Sequence, residues 1–358
     1  MGAALASMGP IWRCDRFGER VGILRPAGPV THTEELCGDD VLTLNAEEAP
    51  GKYDRLLWMD PVDGVWREHV VTRVDESLRG GARVRAESSL CDLRCAFIEE
   101  RRVSEKYAKE ALPIILDGTG WGFSCDVGGR YTLSMYHVTG LAALRDLEET
   151  WSVECRADIA VSGGRVASRT VAVSKALGRD RGLRLAYARD VTGLTRTIGA
   201  GEVYTALYGY GAGVPVTDDA GNPTGFYKRK LAFGSVNDGK NWVGDEDARE
   251  KWGLLAADGV TRLHRFGSAD FPKVEVAMVL LGETRRELKR LCEPRVLYTV
   301  TAAALGKRAR SAGLGDTVRV VDTSDGRDWR VSARVVRRER VFGDEMEVSL
   351  GIGNAKGM

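Results

Sequence analysis

The sequence predicts an α+β fold rich in strand, in which two β regions flank, and are interrupted by, α+β insertions. Three observations lead there. Short apolar runs alternate with polar residues toward both ends of the chain, which is the period of half-buried strands. Glycine is frequent, at 43 of 358 residues against 10 prolines, and much of it stands between such runs, as in Gly80-Gly81 and Gly163-Gly164. Helix-period stripes are few, short and confined to the interior of the sequence.

Up to about Leu90 the chain reads as β structure. Val41 to Leu44, Arg55 to Met59, Val65 to Val74 and Ala82 to Ala86 are strand-like, separated by Pro50-Gly51, by Asp60-Pro61-Val62-Asp63-Gly64 and by the glycine pair. Strands at that spacing suggest a small barrel or sandwich. From Ser104, a plausible N-cap, a helical stripe runs through Tyr107, Ala108, Ala111, Leu112, Ile115 and Leu116 to Gly118, with Pro113 expected to kink or shorten it. A second helix follows Thr139, with Leu141, Leu144, Leu147 and Trp151 on one face, and then Val153 to Ile159 alternates into a hairpin at Ser162-Gly163-Gly164-Arg165. Strand patterning resumes at Glu202 to Tyr208. A short helix is expected from Asp245 to Trp252, and Thr284 with Glu287 fits a capping box for another reaching about Leu291. Arg295 to Gly353 is again short strands, with a tight turn at Ser324-Asp325-Gly326-Arg327.

A chain of 358 residues exceeds one ordinary core, so two to four compact domains are expected. Lys and Arg number 52 against 51 Asp and Glu, a balance that argues against a nucleic-acid binder and suits a protein that assembles with others. No apolar stretch has the length of a membrane span; Val276 to Leu281 is about the longest. The opening Met1 to Ser7 lacks a signal peptide's regions, and Ala6 stands where myristoylation needs Ser or Thr, so folding in a cytoplasm is expected. The seven cysteines have no framework spacing. Cys91 and Cys95 alone make a poor zinc site, and buried reduced thiols are expected.

Candidate chemistry is sparse. His32, His69, His137 and His264 stand far apart in sequence, and none has the His-Glu-x-x-His neighbourhood of a zinc peptidase. Cys125 and His137 are the nearest thiol and imidazole, but Cys125 sits in a glycine-flanked turn and reads as structural. Asp60 and Asp63 bracket a turn, Glu99-Glu100 beside Arg101-Arg102 reads as a solvated charged face, and Asp218-Asp219 precedes turn residues. Gly209-Tyr210-Gly211-Ala212-Gly213 lacks the Lys-Ser or Lys-Thr of a phosphate loop and suits a strand end or bulge. The basic stretch from Arg156 to Arg196, and Arg337-Arg338 with Arg340, suggest salt-bridged contact with a neighbouring protein. No catalytic, cofactor-binding or metal-ligating residue is assigned, and no interface residue can be named.

Several segments together carry a family resemblance. They are Ser88-Ser89-Leu90 through Ile98-Glu99-Glu100-Arg101 to Ala111-Leu112-Pro113 and Asp117-Gly118-Thr119-Gly120-Trp121; Leu141 to Leu144 leading to Trp151-Ser152-Val153-Glu154; and Gly182 to Tyr187. Thr205 to Gly211, Glu293 to Tyr298, Leu314 to Asp322 and Glu347 to Gly351 follow in the same order. In order and spacing the chain resembles the phage tail hub family, the prophage endopeptidase tail or phage minor structural protein N-terminal region. This is a tail-associated lysin hub, similar to the baseplate hub of contractile tails. The resemblance is weakest before Asp40 and from Asp218 to Asn241.

The resemblance implies two tube-type β-barrel domains with α+β insertions, arranged as in a baseplate hub. Residues 1–88 would form the first barrel, 89–199 an α+β insertion, 200–235 with 294–354 the second barrel, and 236–293 a small α+β insertion. It further implies a homotrimer in the virion tail, made in the host cytoplasm. Its partners would be the distal tail ring protein, the tape measure protein and tip or fibre proteins, with DNA passing through unbound. No cofactor is implied. Longer members carry a peptidase or glycan hydrolase after the hub; with the last hub-like strand close to Met358, a hub without that enzyme is expected. The alternatives are a tail-associated cell-wall hydrolase with an unrecognised site and a carbohydrate-binding tip module using Trp242 or Trp252.

Overall fold

The computed structural model describes residues 8–77, 80–186, 193–199, 203–217, 223–272, 274–293, 295–302, 310–322, 329–344 and 346–353. The chain divides into two compact units, one of residues 1–196 with 298–358 and one of 197–297.

In the larger unit the N-terminal alternation becomes seven strands, ending at Ser88. They are β1 (Ile11–Cys14), β2 (Arg20–Leu24), β3 (Pro26–Glu35), β4 (Asp40–Ala46), β5 (Arg55–Met59), β6 (Trp66–Glu76) and β7 (Ala82–Ser88). All their pairings are antiparallel: β3 with β4, β4 with β7, β7 with β6, β6 with β5, β5 with β1 and β1 with β2. The Asp60–Gly64 segment is the turn its composition predicts. Gly64 sits at φ 67° and donates to the Asp60 carbonyl, a conformation that favours glycine.

An insertion follows, with β8 (Phe97–Lys106), α1 (Ala108–Ile115), β9 (Gly122–Cys125), β10 (Tyr131–Thr139), α2 (Gly140–Trp151), β11 (Glu154–Ser162) and β12 (Arg165–Ser174). The expected N-cap at Ser104 is displaced. Ser104 lies in β8, which pairs with β10, and the helix starts where Glu110 accepts a hydrogen bond from the Tyr107 amide. Helix α2 follows Thr139 as expected, with Thr139 capping it by accepting from the Ala142 amide, and Leu144, Leu147 and Trp151 pack into a core shared with Leu112, Leu133 and Val171. The bulk of the insertion is thus held by its own apolar core, and its charged surface is free to make ion pairs.

The chain continues through β13 (Asp180–Ala186) and β14 (Gly193–Gly199) into the smaller unit. There β15 (Ala206–Tyr210), β16 (Gly213–Thr217), β17 (Pro223–Lys230), β18 (Trp242–Gly244), α3 (Glu246–Trp252), β19 (Leu254–Leu255), β20 (Arg262–Leu263), β21 (Phe266–Asp270) and α4 (Ala277–Leu291) follow. A three-stranded sheet has β15 at its centre, antiparallel to β18 and parallel to β21. Leu207 and Val243 of its inner face pack on Leu280, Leu281 and Leu288 of α4. Helix α4 begins at Ala277, well before the expected capping box. Thr284 is mid-helix and buried, and its hydroxyl donates to the Leu280 carbonyl at 2.8 Å instead of capping.

The chain returns through β22 (Arg295–Ala302), β23 (Thr317–Asp322), β24 (Trp329–Phe342) and β25 (Met346–Gly353). Strand β24 pairs with β23, with β25 and, on its far half, with β3. Both ends of the chain therefore share one hydrogen-bonded sheet and one core, in which Leu42, Trp58 and Val84 meet Val318, Phe342 and Leu350. The sequence expectation groups 200–235 with 294–354. In the structure β15 pairs only with β18 and β21 among the described residues, while β13, ahead of the smaller unit, pairs in parallel with β23.

Glycine at 209 is dictated by close approach. A Cβ there would lie 2.0 Å from Thr284 Oγ1 and 2.9 Å from the Phe233 ring. Substituting Gly209→Ala is expected to destabilise the protein by about 1–3 kcal/mol through overpacking against α4. Thr284→Ala in the same chain should restore part of that loss, as read from urea unfolding midpoints.

Candidate functional site

Where β3 meets β24, the larger unit buries a network of charges. Arg338 and Arg340 are cross-strand partners of Glu34 and His32. The Asp60–Gly64 turn places Asp60 and Asp63 beside them, and β6 adds Arg67. Arg340 donates to both oxygens of Asp60, at 2.9 and 2.6 Å, and both side chains are fully buried. Arg338 donates to Glu34, to both oxygens of Asp63 (3.0 and 2.5 Å) and to the Ala312 carbonyl (3.2 Å). Arg67 completes the set, pairing with Asp60 at 2.6 Å, Asp63 at 2.6 Å and Glu34 at 2.7 Å. Charges taken out of water this far persist only because each finds several partners. A cleft of about 1690 Å³ opens beside the network, with Glu34, Asp63, Arg67 and Arg338 in its wall.

The fourth carboxylate, Asp40, is served differently. His32 and His69, far apart in sequence, meet with ring centroids 5.3 Å apart, and each places Nε2 against Asp40 Oδ1, at 2.7 and 2.9 Å. The opposite nitrogens fix the tautomers. Arg340 donates to His32 Nδ1 at 2.8 Å and Trp58 Nε1 donates to His69 Nδ1 at 3.2 Å. Guanidinium and indole have no lone pair to offer, so both Nδ1 atoms are acceptors and both Nε2 atoms carry the proton. His32, His69 and Asp40 lie close enough to hold a metal ion. The donor set does not fit one: ligation through Nε2 requires Nδ1 to face an acceptor, and here both face donors.

These surroundings set the ionisation. Burial pushes the His32 pKa down to about 4, outweighing Glu34 and Asp40, which pull it up. Burial alone would raise Glu34, but Arg67 and then Arg338 hold it at about 2. Asp60 is likewise held well below the usual carboxylate range by Arg340 and Arg67 against its own burial.

The other sequence candidates do not assemble. Cys125, on β9, and His137, on β10, belong to different sheets, and no hydrogen bond joins them; His137 instead stacks with Tyr136 and Phe97. Glu99 and Glu100 are exposed on β8. Asp218 and Asp219 lie outside the described residues. Cys14 and Cys155 are buried thiols as expected, whereas Cys37 and Cys95 are exposed. Among the basic residues read as a contact surface, Arg338 and Arg340 are internal. Arg169 is bidentate to buried Glu68 at 2.6 and 2.7 Å, and Arg165 pairs with Glu19 at 2.5 Å.

The family model described as Prophage endopeptidase tail matches residues 179–357, half of the chain. The chain belongs to the prophage endopeptidase tail family. It is a phage tail protein. Nearly its whole length shares the fold of prophage tail protein gp18 from Listeria monocytogenes, at 14% identity and a TM-score of 0.58, covering 98% of this chain and 96% of that one. The 43 kDa tail protein of prophage MuSo2 from Shewanella oneidensis is similar at 12% identity, TM-score 0.60, and 97% and 99% coverage. A tail protein from Neisseria meningitidis is similar at 10% identity, TM-score 0.59, and 96% coverage of both chains. No curated relative matches. The family match begins one residue before β13. Arg338 and Arg340 thus lie within the part that defines this tail protein as a member, while Glu34, Asp60 and Asp63 lie before it.

In this tail protein Arg340→Met should cost about 3–5 kcal/mol, because it removes the two-bond partner of fully buried Asp60 and leaves Arg67 as its one guanidinium. Adding Asp60→Leu should cost less than the sum of the two single changes, and strictly additive losses would show that the pair does not interact. Stability should also fall with acid. The folded His32 pKa lies below its ordinary 6.5, so between pH 6.5 and 4 the unfolded chain binds the extra proton and stability rises with pH. About 2 kcal/mol should be lost between pH 7 and pH 5, and His32→Gln should flatten that slope in denaturant titrations at the two pH values.

Proposed function

We propose that this tail protein is the hub of a phage tail, a structural subunit that forms a homotrimer at the end of the tail tube. There it joins the distal tail ring protein and the tape measure protein above and presents tip or fibre proteins below. Its action is mechanical, holding the channel shut and opening it for DNA to enter the host. The observation that carries this function is the pairing of β3 with β24. Residues 30–35 align with 337–342 over a shared core and a buried charge network, so the two β regions of one chain act as a single rigid piece. Two β regions per chain give six around a three-fold axis, matching a six-fold tube. The strand order ends at β14 and β9, edges that neighbours in a closed ring can cover. A net charge of +1 suits a channel through which DNA slides without being gripped.

A structural role is supported by the separation of Cys125 and His137, the nearest thiol and imidazole in sequence, into different sheets. Electron microscopy of the purified protein, classified without imposed symmetry, should show three-fold rings at three times the subunit mass. Monomers that persist even with the neighbouring tail ring protein present would overturn the hub, and clearing of cell-wall substrate would point to a hydrolase.

A further inference from the structure

The smaller unit carries an aromatic surface on its three-stranded sheet. In β15, Leu207 and Gly209 face α4, so Ala206, Tyr208 and Tyr210 face the other way. Register extends that outer face to Phe266, Ser268 and Asp270 on β21 and to Trp242 on β18. The rings form a continuous group. Tyr208 and Tyr210 lie nearly parallel with centroids 6.4 Å apart, Tyr208 is 5.6 Å from Phe266, and Trp242 meets Phe266 edge-on at 5.2 Å. Phe266 is 49% exposed, and the two tyrosines and Trp242 are half-buried, so ring surface is open to solvent. Apart from buried Ala206, these strands place no aliphatic side chain on this face.

Polar groups border the rings. Lys230 pairs with Asp270 at 2.7 Å, both exposed, and Lys240 stands 5.4 Å from the centre of the Trp242 ring. A depression of about 890 Å³ adjoins the face, with Leu231 and Ala232 in its wall beside Tyr210, Lys230, Asn241 and Asp270. That volume is within the range of small-molecule sites.

We propose that this face binds a glycan. A pyranose ring offers C–H bonds on one side and hydroxyls around its rim. The C–H side is complementary to the negative face of an aromatic ring, and the hydroxyls to carboxylate, amide and ammonium groups. Both kinds of partner occur here side by side: open rings on three strands, and short polar side chains with an unblocked ion pair at the edge. The outward positions of the three strands carry no Leu, Ile, Val or Met, so an aliphatic partner surface would meet such side chains only at the depression, at Leu231.

The full chain, titrated with chitohexaose, maltohexaose and cellohexaose, is expected to bind at least one of them, with calorimetric heat and a change in tryptophan fluorescence. Tyr210→Ala and Trp242→Ala should each weaken that binding by about tenfold or more, and Asp270→Asn should weaken it measurably at unchanged melting temperature. Asp270 is exposed, so its change tests the site without disturbing the fold. Absence of binding to all three sugars up to about 10 mM would overturn the proposal. So would binding that survives both aromatic substitutions. Self-association abolished by Phe266→Ala, with no sugar bound, would make the face a contact between copies instead. A chain that trimerises yet binds no sugar refutes this site and leaves the hub standing.

Discussion

The ion pairing of Arg338 and Arg340 with carboxylates from the other end of the sequence is the constraint on which the larger unit depends. Backbone pairing alone does not choose a register, because a ladder of amides looks much the same after a slip of two residues. Here Arg338 must stand opposite Glu34 and Arg340 opposite His32. A slip by one residue turns both guanidiniums to the other face, and a slip by two removes each from its carboxylate. Either alternative leaves charge buried without a partner, at a cost of several kcal/mol. The network therefore works less as net stabilisation than as specification of a single way to join the first and last strands.

The same device recurs where the insertion meets the β regions. Glu68, nearly fully buried on β6, receives Arg169 of β12 through two hydrogen bonds, and Glu154 of β11 receives Arg334 of β24 through two more. Arg334 also donates to the carbonyls of Gly315 and Leu177. Within α2, Arg145 pairs with Glu148 and donates to the Gly38 carbonyl, and Glu148 accepts from the Cys155 amide. Arginine is the donor in each of these links, to a carboxylate from Arg169 and Arg334 and to a backbone carbonyl from Arg145. The planar fork of the guanidinium fixes direction as well as distance, which a lysine ammonium does not. Apolar packing gives each part its own core, and the arginines set how the parts are oriented.

Much of the fold was legible from periodicity and turn residues. The N-terminal strands, the Asp60–Gly64 turn, helix α2 after Thr139 and the Gly163-Gly164 hairpin follow from local chemistry that the tertiary structure leaves intact. The site was not legible, for a physical reason. Strand β24 reads as a surface for ion pairs with a neighbouring protein because Arg338 and Arg340 occupy the alternate positions that a core strand fills with apolar residues. Asp60 and Asp63 have a sufficient local explanation as turn formers, which hides their second role as acceptors for residues nearly 280 positions away. Helix α4 was shortened at its start because Thr284 and Glu287 make a local capping signal. Only the contact of Thr284 with Gly209, 75 residues earlier, shows that the threonine is interior. In each case a non-local partner outweighed a valid local signal.

The charge count of the network explains its histidines. Four carboxylates, Glu34, Asp40, Asp60 and Asp63, face three guanidiniums, Arg67, Arg338 and Arg340. A fourth arginine would balance the sum but would need volume that Trp58, Phe342 and the two imidazoles already fill. Two neutral imidazoles solve the same problem in less space, each giving one N–H to Asp40 and bringing no charge into the core. Their Nδ1 atoms meanwhile accept the otherwise costly donors of Arg340 and Trp58, so donors and acceptors close into a chain from Asp60 to the indole. The consequence is asymmetric. A proton added to His32 removes the acceptor that Arg340 uses and places two cations against each other, so the junction of the chain's two ends is weakest on the acid side.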